Sequence, residues 1–291
     1  MISYLANVLR LMRWQNCLIT MFVVVTAVFL LPFIPEVHEI IIAALAAAFI
    51  TAYGNIHNDI ADYRADKINH PERPLPSAEL SPGTAILWLQ MALAAGLILS
   101  LLVNQRCFIV AAIASIALFF YSLFIKKIPL LANIWVGLIA ALTFIYAGYI
   151  SPLYTVWDFS LINAGALIAF FFHLGRELIK DLQDMEGDLS SGLSTVALSW
   201  SPAAAKLLAT MSFMAVGILA ALLYLFLKPG LEFLVIFIIG VFLPLVILTV
   251  MMWRRSAQNA YRMISAWLKV LMPVGMLTLL LAREKLPLDS F

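Results

Sequence analysis

The chain has 291 residues, 64% of them hydrophobic and only 12% charged, and its mean hydropathy is +1.01. A soluble globular domain carries roughly twice that charged fraction, so the composition excludes a water-soluble fold and makes lipid the solvent for most of the surface. The formal net charge of +2 carries little information, and no nucleic-acid partner is expected.

A backbone in lipid must satisfy its own hydrogen bonds, which leaves helices or a closed barrel. Apolar runs of about 20 residues, without two-residue alternation, select helices. Residues 1–12 read as a short interfacial helix with Arg10 near its end. Nine spans are then expected, roughly at 13–34, 38–58, 83–103, 107–125, 130–150, 159–180, 203–227, 231–253 and 262–281. The fold class is an all-α membrane protein, with one transmembrane domain over residues 1–291. Arg10 and Arg13 precede an apolar run without a small-residue cleavage pattern, which reads as a retained first span. Cys17 and Cys107 fall in or beside apolar spans and read as free buried thiols.

Alternate connections differ in charge. Thirteen Lys and Arg residues, from Arg10 and Arg13 through Arg64, Lys67, Arg73, Lys126, Lys127, Arg176, Lys180 and Lys206 to Arg254, Arg255 and Arg262, fall on one side. Only four, Arg106, Lys228, Arg283 and Lys285, fall on the other, with Lys269 inside the last span. The positive-inside rule then puts the N-terminus in the cytoplasm of a cell-membrane protein. The outer connections (Val103 to Arg106, Ser151 to Asp158, Leu227 to Gly230) are short. The two long ones, about 59–82 and 181–202, are cytoplasmic and rich in Pro and Gly, as expected of functional cap loops.

Ten of the 16 acidic residues lie in two clusters, Asp59 to Glu79 and Glu177 to Asp188. Each contains the same spacing, D-x2-D-x3-D: Asp59, Asp62 and Asp66 in one, Asp181, Asp184 and Asp188 in the other. On a helix these positions share one narrow face, with Asn55 and Asn58 near the first triplet and Glu177 a turn before the second. Like charges on one face repel, and bound cations relieve the repulsion. Oxygen-only ligands favour Mg2+, which is held typically by one or two carboxylates together with substrate phosphates. The triplets therefore suit metal bound against a diphosphate. Acids placed at helix ends on one face argue against a transporter, which sets them near the bilayer midplane on broken helices.

Cationic partners are available in Arg64, Lys67, Arg73, Lys126, Lys127, Arg176 and Lys180. Arg73 stands between prolines that stiffen its loop, which suits bidentate phosphate capture. For Arg73, Lys126 and Lys127, phosphate binding and topology determination are both open readings, whereas Arg254 and Arg255 read as topology determinants. Arg13, Gln15 and Asn16 enter the first span and face the bundle interior. His57 and His70 read as hydrogen-bonding fillers. Tyr121 is placed either to reach a diphosphate oxygen or to anchor at the interface. The many Phe, Trp, Met and Leu residues serve equally as lipid-facing surface or as the wall of a hydrocarbon tunnel.

These pieces together resemble the UbiA superfamily of intramembrane prenyltransferases. The resemblance rests on Arg13-Trp-Gln-Asn16, Asn58-Asp-Ile-Ala-Asp-Tyr-Arg-Ala-Asp66, the run from Asn69 to Ser77 with Arg73-Pro-Leu-Pro-Ser, Tyr121 with Lys126, and Lys180-Asp-Leu-Gln-Asp-Met-Glu-Gly-Asp188. It spans the whole chain. It implies a nine-helix bundle in which Mg2+, held by Asn58 and the six aspartates, grips a polyprenyl diphosphate. The aspartates and Lys126 would then carry the chemistry, and Arg13, Asn16, Asn55, Asn58, Lys67, Arg73, Tyr121, Arg176 and Lys180 would bind substrate. Arg13-Trp-Gln-Asn16-Cys17 and the run from Gly175 to Asp188 are most similar to the members that join geranylgeranyl diphosphate to geranylgeranylglyceryl phosphate in ether-lipid synthesis. Members that prenylate aromatic acceptors such as 4-hydroxybenzoate, homogentisate or dihydroxynaphthoate for quinones are the alternative. Ala78 stands where many relatives carry glycine.

Overall fold

A computed structural model describes residues 2–157 and 160–283. The Asp158, Lys285 and Asn69 side chains, which entered the reading of the loops and of the motif run, lie outside the described residues. The described chain is helical throughout, without a strand among the described residues.

The first span differs from the expected 13–34. Helix α1 (Ile2–Met12) and helix α2 (Trp14–Val28) meet at Arg13, and their axes bend by 56°. Arg13 adopts φ 53°, ψ 60°, a left-handed conformation that costs a non-glycine residue about 1–2 kcal/mol. Its ion pair with Asp59 on another helix offsets that strain. Helix α1 is amphipathic, burying Val8 and Leu11 against Ile56, Leu75, Leu80 and Ala85. Arg10 on its polar face bonds Glu79 at 2.7 Å and the Glu72 carbonyl at 2.6 Å.

Helix α3 (Val37–Ala61) runs to the first aspartate triplet, and helix α4 (Tyr63–Asn69) starts immediately beyond it. Helices α5 (Pro82–Val103), α6 (Gln105–Leu123) and α7 (Leu131–Gly148) follow. The first of these junctions is the single residue Asn104, whose side chain accepts the Cys107 backbone N–H as an N-cap. Helix α8 (Leu161–Ser191) is the longest. It is followed by the turn α9 (Val196–Ser199), helix α10 (Pro202–Leu227), helix α11 (Leu231–Phe237) continuing through a π-turn into α12 (Leu243–Arg254), and α13 (Gln258–Arg283). Pro244, which lacks an N–H, sits just past that π-turn, where the helical ladder is already interrupted. Among the described residues, eight helices are each long and apolar enough to cross a bilayer, counting α11 with α12 as one, and the bent pair α1–α2 supplies a ninth.

The 181–202 segment is not the loop expected from its polarity. Helix α8 continues three turns beyond 180 because Leu178, Ile179, Leu182 and Met185 keep an apolar stripe buried against α9, α10 and α13, and packing outweighs local polarity. Gly192, at φ 68°, ends the helix, with the Leu193 N–H reaching the Asp188 carbonyl at 3.0 Å, a left-handed C-terminal cap that suits glycine. Likewise α3 and α4 leave only residues 70–81 as irregular chain in the first cap.

Consecutive spans pack side by side, and α13 returns to pack against α2, which closes the bundle. The largest apolar cluster, from Val24 to Val28 on α2 and Leu31 just beyond it, through Phe144 to Ala147 on α7, to Leu279 on α13, fills one end. The other end, where α3, α6 and α8 finish and α2, α7 and α13 begin, holds the polar residues.

Candidate active site

A cavity of about 550 Å³ opens at that polar end. Both aspartate motifs line it. From the first come Asn58, Asp62 and Asp66; from the second, Asp181, Asp184 and Asp188. Arg13, Arg73, Tyr121, Lys126 and Lys180 also reach the same wall. The two motifs, 122 residues apart in sequence, thus face each other. Asp188 lies within electrostatic reach of Asp62, and Tyr121 feels Asp62, Asp181, Glu177 and Arg13 together.

The first motif is not a single helical face. The helix breaks at Asp62 (φ −90°, ψ 3°), which closes α3 and opens α4. The break turns the three carboxylates to different partners. Asp59 is buried, only 4% of its side chain exposed, and ion-pairs with Arg13 and, at 3.6 Å, with Arg73. Asp62 pairs with Lys126 and accepts a hydrogen bond from Asn58 at 2.9 Å. Asp66 accepts from Arg73 at 2.6 Å. Burial pushes the Asp66 carboxyl above the usual carboxylate range, against the opposing pull of the Arg73 guanidinium. Three cations therefore meet three carboxylates, and Asp59, expected among the metal ligands, instead supports Arg13 and Arg73 from beneath the cavity.

The second motif stays on one face of α8, as its spacing predicts. Asp181 accepts from Asn133 at 3.0 Å and Asp184 from Gln183 at 3.0 Å. Neither has an Arg or Lys within ion-pair distance. The nearby cations are committed to Glu177, which pairs with Arg176 at 2.8 Å and Lys180 at 2.7 Å.

Several expected substrate-binding residues do not line the cavity. Asn55 donates to the Met12 carbonyl at 3.0 Å and holds the α1–α2 junction. Lys67 is exposed, its ammonium 4.6 Å from the Tyr63 ring centre. Asn16 lies outside the lining, and Arg176 is packed behind Glu177. Conversely, Asn133, Glu177, Glu186, Thr195, Gln258 and Arg262 join the wall. Arg262 had been read only as a topology determinant. A polar pair four residues apart at the start of α13 was the available signal for Gln258 and Arg262.

The donor set is almost purely oxygen, with His70 the one imidazole on the wall. Among the described residues, no three Asp, Glu, His or Cys side chains converge closely enough to enclose a metal by themselves. That fits Mg2+, which takes few protein carboxylates and completes its shell with water and phosphate oxygens.

Comparison with known proteins agrees with this geometry. Residues 17–271 match the model of the UbiA prenyltransferase family. Over 187 residues the chain is 34% identical to the digeranylgeranylglyceryl phosphate synthase of Methanopyrus kandleri, covering 64% of this chain and 66% of that one, so the match spans just under two thirds of that relative's length. Among solved structures, a digeranylgeranylglyceryl phosphate synthase superposes with a TM-score of 0.77 at 26% identity, covering 97% of this chain and 99% of the other. A UbiA homologue from Archaeoglobus fulgidus, solved bound to GPP and Mg2+, shares the fold with a TM-score of 0.70 at 21% identity, covering 94% and 99% of the two chains. The chain is a multi-pass membrane protein and belongs to the UbiA prenyltransferase family.

Proposed function

We propose that this protein transfers a geranylgeranyl group from its diphosphate to the free hydroxyl of geranylgeranylglyceryl phosphate, a step of ether-lipid synthesis, with the whole chain acting as one catalytic unit. The observation that carries the reading is the single cavity in which two acidic motifs, Arg73, Lys126 and Lys180 meet at the mouth of an apolar bundle. The relatives named for this reaction favour the phosphorylated glyceryl acceptor over an aromatic one. The charge bias of the loops supports a cytoplasmic position for the cavity.

Mg2+ would be held by Asn58, Asp62 and Asp66 on one wall and Asp181, Asp184 and Asp188 on the other, where it supplies a Lewis acid and a template for the diphosphate. Arg73, Lys126 and Lys180 meet the charge that develops on the departing diphosphate as the C1–O bond lengthens, and their fixed positions spare the cost of reorientation. Asp59 and Asp62 hold Arg13, Arg73 and Lys126 in place. The apolar helices behind the cavity keep water away from the allylic cation until the acceptor hydroxyl attacks C1.

Purified protein incubated with labelled geranylgeranyl diphosphate, geranylgeranylglyceryl phosphate and Mg2+ should form the digeranylgeranyl ether, and chelation should stop it. Product with 4-hydroxybenzoate, homogentisate or dihydroxynaphthoate, and none with the glyceryl phosphate, would overturn the reading.

A further inference from the structure

Helix α1 carries two apolar rows. Val8 and Leu11 are buried with Leu75 and Leu80 of the irregular stretch 70–81. Leu5 and Leu9, one turn apart on a separate side of the helix, are 55% and 43% exposed. Trp14 and Leu18, one turn apart on α2, are exposed in the same way. Helix α2 belongs to the transmembrane bundle, so the lipid that covers Trp14 and Leu18 is at hand for Leu5 and Leu9 across the bend at Arg13. An exposed apolar row, with the basic Arg10 in the last turn, suits a helix that lies in the membrane interface. The Trp88 indole N–H donates to the Tyr4 hydroxyl at 3.1 Å and ties the start of α1 to α5.

The opposite side of α1 reaches toward the cavity. The Arg10 guanidinium bonds the Glu72 carbonyl at 2.6 Å and the Glu79 carboxylate at 2.7 Å, so one side chain holds both ends of the run from Glu72 to Glu79. The Glu72 carbonyl belongs to the peptide that leads into Arg73. Arg73 in turn carries its guanidinium to Asp66 on the cavity wall. Within the stretch the Ser77 N–H reaches the Arg73 carbonyl and the Leu80 N–H the Pro74 carbonyl, both at 3.0 Å. Irregular chain keeps its shape through such anchors, and here Arg10, Val8 and Leu11 of α1 supply several of them.

We propose that α1 docks on the bilayer surface through Leu5 and Leu9, and that this docking holds the Arg73 loop in place, so that the cavity is fully formed only against lipid. Arg73 belongs to the diphosphate-binding set assigned above. The effect on turnover therefore rests on that reading, while the docking does not.

The test compares hydrogen exchange of residues 2–12 and 72–81 in the parent and in Leu5→Glu/Leu9→Glu, with a single protein in each phosphatidylcholine–phosphatidylglycerol nanodisc. In the double variant exchange should rise about tenfold in both segments together, and kcat/KM for geranylgeranyl diphosphate should fall about fivefold. Leu5→Trp/Leu9→Trp, which keeps the row apolar, should match the parent in both measurements. Unchanged exchange in α1 would overturn the docking, and a rise in α1 alone would overturn the link to the loop. A rise that extends to α8 would mean general loosening and would overturn a local link as well. Protection of α1 that is seen in crowded vesicles but missing in nanodiscs would give the row to a second copy of the chain instead of lipid. The exchange result needs no turnover. If exchange behaves as expected and kcat/KM does not move, the docking stands and the role assigned to Arg73 fails.

Discussion

The two aspartate motifs share one spacing and differ in almost everything else. The first straddles a helix break, and each of its carboxylates faces a cation: Asp59 with Arg13 and Arg73, Asp62 with Lys126, Asp66 with Arg73. The second lies on an unbroken helix, with Asp181 and Asp184 held by the amides of Asn133 and Gln183. Equal spacing therefore serves unequal work. The first motif fixes the cations that receive the diphosphate and is close to neutral by itself. In the second, Asp181 and Asp184 have no Arg or Lys partner at ion-pair distance among the described residues, which leaves them available to a metal ion.

This contrast predicts opposite consequences for matched substitutions. The largest effect should come from Asp59→Ala, which removes the partner of Arg13 and leaves Arg73 to Asp66 alone. Removing one partner of a buried pair costs about 3–5 kcal/mol, so the thermal midpoint in detergent should fall sharply and activity with it. A midpoint like that of the parent would break the comparison. Asp184→Ala should instead leave the midpoint unchanged, or raise it in the absence of Mg2+, while cutting turnover by roughly two orders of magnitude, the size expected for a lost electrostatic stabiliser. Near-normal turnover at saturating Mg2+ would contradict the assigned role.

Gly175→Ala probes the second motif from a distance. A Cβ there would meet Phe213 Cε1 at 2.6 Å, so the buried Phe213 ring must give way or α8 must shift away from α10, at a cost of about 1–3 kcal/mol. Where α8 yields, the aspartates beyond Gly175 shift with it, and the Mg2+ concentration for half-maximal activity should rise several-fold; an unchanged Mg2+ dependence would show that the Phe213 ring absorbs the clash. The smallest effect belongs to the loop that carries Arg73. Ala78 sits at φ 60°, a conformation that glycine adopts without strain. Ala78→Gly should stabilise the protein by about 0.5–1 kcal/mol with activity retained, read from the thermal midpoint.

Much of this was legible in the chain. Long apolar runs fixed the number of spans because a bilayer leaves few alternatives, and the repeated spacing of Asp59, Asp62, Asp66 and Asp181, Asp184, Asp188 marked the site. Other features depend on contacts that no local window contains. The break at Asp62 accompanies pairing with Lys126, 64 residues away. The extension of α8 depends on Leu182 and Met185 finding an apolar partner in α9 and α10. Arg13 takes its left-handed backbone opposite Asp59, 46 residues on. Asp59 looked interchangeable with its neighbours in the motif; Asp66 is as deeply buried, and what separates Asp59 is its place outside the cavity lining.

The unbroken course of α8 from Leu161 to Ser191 makes this rod intolerant of changes in length. One inserted residue between Gly175 and Asp181 would turn everything beyond it by about 100° and advance it by about 1.5 Å, carrying the metal-facing carboxylates off the cavity wall at a stroke. The irregular stretch 70–81 has slack to absorb such a change away from Arg73. Natural length variation in sequences of this kind should therefore gather in that stretch and avoid α8.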